Sequence, residues 1–281
     1  MCEVVFFYNS TYSQKNDILA SNEFLCIPVF KNTKQNFSLM KEYIIKLLET
    51  VGIQIFTIFG IFFVLGFILM RLQKWTNDKY TESIGWKGIL FTAWFGTPIH
   101  ELGHVVFAKI FHHKVTHIEL FEPNAETGGL GHVDHQFNPY SLYQRVGNFF
   151  IGAAPMIFGS LMMVLMLYVF VPNAKELFGY IVHEKYTAPV ILISSFKFVK
   201  GLFTISNLQN SIFYAFLYLS FCISAHIAPS GQDIKNMWGG FVSMIVILII
   251  LNAIPVLLGI DINTYILQSY ALTTILIAVF L

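Results

Sequence analysis

A run without a single charged side chain, VGIQIFTIFGIFFVLGFILM from Val51 to Met70, constrains this chain most. At 1.5 Å per helical residue, ~20 apolar residues span the ~30 Å hydrocarbon core of a bilayer. The rest of the composition agrees. Of 281 residues, 56% are hydrophobic and only 12% charged, and mean hydropathy is +0.64. A soluble domain carries roughly 25% charged residues. A multi-pass protein in a lipid bilayer is therefore expected. The net charge of +1 offers no electrostatic footprint for nucleic acid, so no such partner is expected. Cys2, Cys26 and Cys222 make neither a disulfide framework nor paired-cysteine metal spacing.

The chain divides into a polar N-terminal extension, 1–50, and a membrane-embedded domain, 51–281. The start, MCEVVFFYNSTYSQKND, lacks the basic opening and apolar centre of a cleaved leader, so the spans are expected to belong to the mature chain. SLMKEYIIKLLET, from Ser38, has helical apolar spacing suited to the membrane surface. A polar loop is expected over 71–87, and further spans over 88–111, 146–171, 211–227, 237–259 and 265–281. Between the second and third spans lies a long polar insert. In it VTHIELF and the Gly-rich ETGGLGHVDH predict a β-hairpin. The expected fold is thus an all-α polytopic membrane protein of about six transmembrane helices, with a small β-hairpin insert.

The second span contains His100-Glu101-Leu102-Gly103-His104. On a helix, positions i and i+4 share a face, so both imidazoles can hold one zinc ion. Glu101 stands beside them, placed to take a proton from an activated water. An ionisable group at bilayer depth costs ~2.5–3.5 kcal/mol on insertion scales, so such groups usually mark function. Pro98 and Gly96 precede the motif, either loosening the helix to admit water or forming a packing kink.

A catalytic zinc takes three protein ligands. In the insert, Glu119, Glu122, Glu126, His132, Asp134 and His135 read as a solvated loop. So do His112, His113 and His117, for which secondary metal binding is the alternative. Glu176, His183 and Glu184 follow the third span. Asp233 stands apart. It follows a span directly, where Pro229, Ser230 and Gly231 break the helix. Broken helices at membrane depth are tolerated where they line a polar cavity. His226 is either a polar group steadying substrate or a hydrogen-bonded helix-end histidine.

Together these features resemble the site-2 protease family of intramembrane zinc metalloproteases. They are HExxH in an apolar helix, a hairpin insert, a Gly/Ala/Pro-rich third span, and Pro-x-x-x-Asp closing a later one. The resemblance covers roughly 88–240. The family's distal motif resembles Asn-x-x-Pro-x-x-Pro-x-Asp-Gly, whereas this chain has His226-Ile-Ala-Pro229-Ser-Gly-Gln-Asp233-Ile. The resemblance implies zinc ligands His100, His104 and Asp233 and a general base Glu101. It also implies a hairpin edge strand offered to an unwound substrate, with His226 and the turn residues Gly128 and Gly129 on the substrate side. The partners implied are the bilayer, a membrane protein substrate with a transmembrane segment, and an unidentified regulatory partner. It implies a cell-membrane location with the site towards the cytoplasm, which lysine and arginine counts do not decide. A non-proteolytic metal-ion binding or transport protein is the competing reading.

Parity adds one expectation. Asp233 must return to the face reached by His104, so 187–206 should not cross. Lys197 and Lys200 would be costly at the bilayer centre and comfortable at its surface.

Overall fold

The computed structural model describes residues 33–181, 188–261 and 263. The expected span 265–281, most of the N-terminal extension, and His183 and Glu184 lie outside the described residues. The described residues are mostly helical, with one two-stranded antiparallel sheet among them. In chain order the elements are α1 (Thr33–Ser83), α2 (Trp86–Ile110), β1 (Lys114–Glu119), β2 (His132–Gln136) and α3 (Leu142–Phe170). There follow α4 (Ala174–Ile181), α5 (Ala188–Leu202), α6 (Ile205–Leu208), α7 (Ser211–Ser224) and α8 (Gly231–Leu257).

The first helix departs from expectation. The polar stretch 71–83 is not a loop but the last turns of α1, and the helix also runs through the boundary drawn at residue 50. No proline or glycine interrupts RLQKWTNDKYTES, so polarity alone does not end the helix. The stop comes at Gly85, at φ 75°, a conformation glycine adopts without steric cost. Between Asn36–Thr57 and Phe62–Ser83, α1 bends by 40°.

Among the described residues, two helices can cross a membrane by length and hydropathy: α3 and α8. The bent α1 makes a third. Their outward faces carry exposed apolar side chains, including Phe56, Leu161, Leu165 and Ile250, which suits a lipid surround. Inside, Phe62, Phe149, Met156, Met237 and Phe241 form a core between α1, α3 and α8. Farther along the same pair, Gln54 and Asn252 exchange two side-chain hydrogen bonds of 2.9 Å. Both residues are buried, so each amide satisfies the other where water is excluded.

Neighbouring contacts fix helix direction. Helix α3 returns along α2, with Phe111 stacked on Phe150 and His104 bonded to Ile151. Helix α7 runs parallel to α2. Tyr218 meets Phe91 and Trp94, and His226 meets His100 farther on. Helix α8 runs antiparallel to α1, from Trp238 against Phe63 to Asn252 against Gln54. Since α1 packs parallel to α3, with Phe62 against Phe149 and Gly66 against Met156, α8 points the same way as α7. The expected spans 211–227 and 237–259 therefore point the same way and do not form an out-and-back pair. The count of six had relied on their opposing directions.

The segment between α3 and α7 begins and ends at one end of the bundle. Leu167, Val171, Ala174 and Leu177 share a core with Phe213 and Phe216. Lys197 and Lys200 on α5 are exposed. The buried Asn207 ties this end together through Asn173 Oδ1 (2.8 Å) and the Leu202 carbonyl (2.9 Å).

Candidate metal centre

Local sequence places each group of the site. The i, i+4 spacing puts His100 and His104 on one face of α2, their rings 5.0 Å apart. Pro229 cannot continue α7, and Ser230 caps α8 instead. Its side chain accepts from the Asp233 amide (3.2 Å), while Asp233 Oδ2 accepts from the Ser230 amide (2.7 Å). This reciprocal capping box fixes Asp233 in the first turn of α8. Gly152 then lets α3 and α8 approach closely, since a Cβ there would meet the Asp233 carbonyl at 2.5 Å.

The three side chains converge. His104 Nε2 lies 3.2 Å from Asp233 Oδ1, and His100 Nε2 lies 3.6 Å from Asp233 Oδ2. The two Nε2 atoms are 3.2 Å apart. Each Nδ1 is committed elsewhere: His100 donates to the His226 carbonyl (2.7 Å) and His104 to the Ile151 carbonyl (2.8 Å). A carbonyl only accepts, so Nδ1 carries the proton in both rings. With the proton on Nδ1, a neutral imidazole offers Nε2 as a lone pair. Two lone pairs and a carboxylate facing one point make a group that could hold a metal ion. A tetrahedral ion with bonds of ~2.0–2.1 Å places its ligands ~3.4 Å apart, so the donor set and its spacing fit zinc. Glu101, His104 and Asp233 are all buried.

These groups open into a cavity of about 190 Å³. Glu101, Ser230 and Asn236 line it, and so does the strand side of the hairpin from Gly131 to His135. At Gly131 the chain passes so close that a Cβ would lie 3.2 Å from Glu101 Cγ and 2.6 Å from the Glu119 carbonyl. The hairpin pairs β1 with β2 in the register Val115↔His135, His117↔Asp134 and Glu119↔His132, with a bulge between Val115 and His117. Behind it, His113 Nε2 donates to the Gln144 carbonyl (2.8 Å), leaving Nδ1 to accept from His135 Nδ1 at 3.0 Å. Burial lowers the pKa of His113. Burial also holds His135 down, to about 4, with His113 and His104 adding to the effect.

Of the residues expected on the substrate side, Gly128 and Gly129 do not line the cavity. They form the hairpin tip, where Gly129 bridges Asn124 and Gly128 takes φ 73°. Gly131 stands in their place. His226 is buried and sits behind His100. Its Nε2 lies 2.9 Å from Thr92 Oγ, whose hydroxyl donates to the Ile89 carbonyl (3.2 Å). His226 therefore donates to Thr92, and this bond steadies the backbone that orients His100. Two partners escaped sequence reasoning, the carbonyls of Ile151 and His226. A backbone acceptor leaves no residue signature. Among the other acidic and histidine candidates, His132, Asp134 and His135 reach the cavity wall.

Searches against family models, curated proteins and solved structures return no match to this chain, so its residues carry the functional argument.

Proposed function

We propose that this chain is an intramembrane zinc metalloprotease cleaving peptide bonds within or next to the transmembrane segment of membrane protein substrates. The observation that carries the reading is the convergence of two Nε2 lone pairs and the Asp233 carboxylate in a buried cavity that Glu101 also lines. His100, His104 and Asp233 would hold the ion. Zinc in such a site supplies Lewis acidity and makes water a usable nucleophile near neutral pH. Glu101 takes the water's proton as the C–O bond forms and delivers it to the amide nitrogen as the C–N bond breaks. The β1–β2 hairpin supports the peptide. One edge of β2 is paired with β1, and the strand borders the cavity. Its other edge suits an unwound segment whose own helical hydrogen bonds have opened.

In this reading α1, α2, α3 and the broken α7–α8 path cross the bilayer, and α5 lies at its surface. The break at Pro229 sets Asp233 at the depth of HExxH. We place the hairpin face towards the cytoplasm of a cell membrane. A cysteine introduced at Asn124 should then be labelled by an impermeant reagent only after the cells are opened. Labelling of intact cells would reverse the orientation.

The test of function is reconstitution into liposomes with single-span substrates and mapping of products by mass spectrometry. Cuts within or beside the span support the proposal. Zinc entry into the lumen without any cut would sink it in favour of a metal carrier.

A further inference from the structure

A second group of metal-ligating side chains lies outside the buried centre. Side chains alternate along a strand, so His117 and Glu119 share one face of β1. The register places Asp134 opposite His117 and His132 opposite Glu119. Four ligating side chains thus meet on one face of the hairpin. Glu119 serves both imidazoles at once, with Oε1 2.6 Å from His117 Nε2 and Oε2 3.0 Å from His132 Nδ1. The two rings are 5.2 Å apart, and one donor atom from each of the three residues lies within 4.8 Å of the others. The Asp134 carboxylate is 3.9 Å from the remaining nitrogen of His132.

We propose that His117, Glu119 and His132 form a second binding site, for a divalent transition-metal ion of the zinc class. Two imidazoles and one carboxylate are a ligand set such ions take. One donor atom from each residue lies within 4.8 Å of the others, so side-chain rotations of up to about 1.4 Å bring the set to the ~3.4 Å spacing of a tetrahedral ion. The ion would tie β1 to β2 where His132 also borders the buried cavity, so it would staple the strand that forms the cavity wall. This site stands independently of whether the buried centre cleaves peptides. The plainer alternative is a pair of ion pairs at the surface, which contribute little to stability.

The experiment uses the full chain in detergent, stripped with chelator, re-equilibrated with zinc chloride and freed of excess. Zinc per chain is then measured by mass spectrometry. Two bound ions are expected for the wild-type chain. His117→Asn, at an exposed position, and Glu119→Gln should each leave one. His104→Asn should also leave one, and combining it with His117→Asn should leave none. Hydrogen exchange over 114–136 should be slower with zinc than without it in His104→Asn. One ion in the wild-type chain that vanishes with His104→Asn overturns the hairpin site while sparing the buried one. A count unchanged by His117→Asn overturns it as well.

Discussion

Two clusters in this molecule offer the same three groups, two histidines and a carboxylate, in different settings. In the buried one, His100, His104 and Asp233 come from two helices distant in sequence. Backbone carbonyls hold both rings, and a helix cap holds the carboxylate. In the exposed one, His117, Glu119 and His132 come from two paired strands and are held by contacts between side chains. The side chains of His117 and His132 are about half exposed, against 12% and 8% for His100 and His104. The ligand set alone therefore does not separate a centre able to do chemistry from one able only to bind. Preorganisation does, since a donor already aimed loses little entropy on binding, and so does a neighbouring base. Glu101 lines the first cavity, buried beside its ligands, whereas the carboxylate next to the second, Asp134, is exposed.

The contrast breaks first at Asp233. Replacing it with Ala should lower zinc affinity at the buried centre by at least ~100-fold, beyond the ~10–100-fold typical of outer-shell partners, and abolish cleavage. Equilibrium zinc titration in a His117→Asn background isolates that site. Unchanged affinity would mean the third ligand lies elsewhere. A smaller loss is expected from Thr92→Val, which removes the side chain holding His226. Zinc affinity should fall by up to ~10-fold with the fold intact. With Thr92 in place, His226→Gln, which can still donate to its hydroxyl, should lose less. Wild-type affinity in Thr92→Val would show that the His226 backbone needs no such support.

The smallest effect concerns the wall between the clusters. His135 titrates near 4 in the folded hairpin against an ordinary 6.5. Between those values the unfolded segment binds more protons than the folded one, so stability rises with pH. The packing of His135 on His113 is fully favourable above ~6.5 and is lost as pH falls towards ~4. Amide protection over 132–136, corrected for intrinsic exchange, should therefore weaken from pH 7 to pH 5. Protection that holds or grows would contradict the burial of His135.

Much of the buried centre was legible in the sequence because its constraints are local. HExxH fixes two imidazoles by helical period, and Pro229-Ser230 breaks one helix and caps the next beside Asp233. The hairpin was legible from its β-prone run and glycine turn. Other features depend on long-range packing. The polar end of α1 resembles a loop in composition, although nothing in it stops a helix before Gly85. The shared direction of α7 and α8 is set by contacts with Phe63, Gln54 and Phe91, and hydropathy carries no direction. Gly128 and Gly129 attract notice as a glycine pair, yet register places Gly131 at the cavity.

The most direct test is cleavage and zinc content measured on one preparation of the Glu101→Gln variant in proteoliposomes. The substitution keeps the shape of the side chain and removes its capacity to accept a proton. The prediction is full zinc content with cleavage reduced by ~10²–10⁴-fold, the usual contribution of a positioned acid–base group. Cleavage at the wild-type rate would contradict the account.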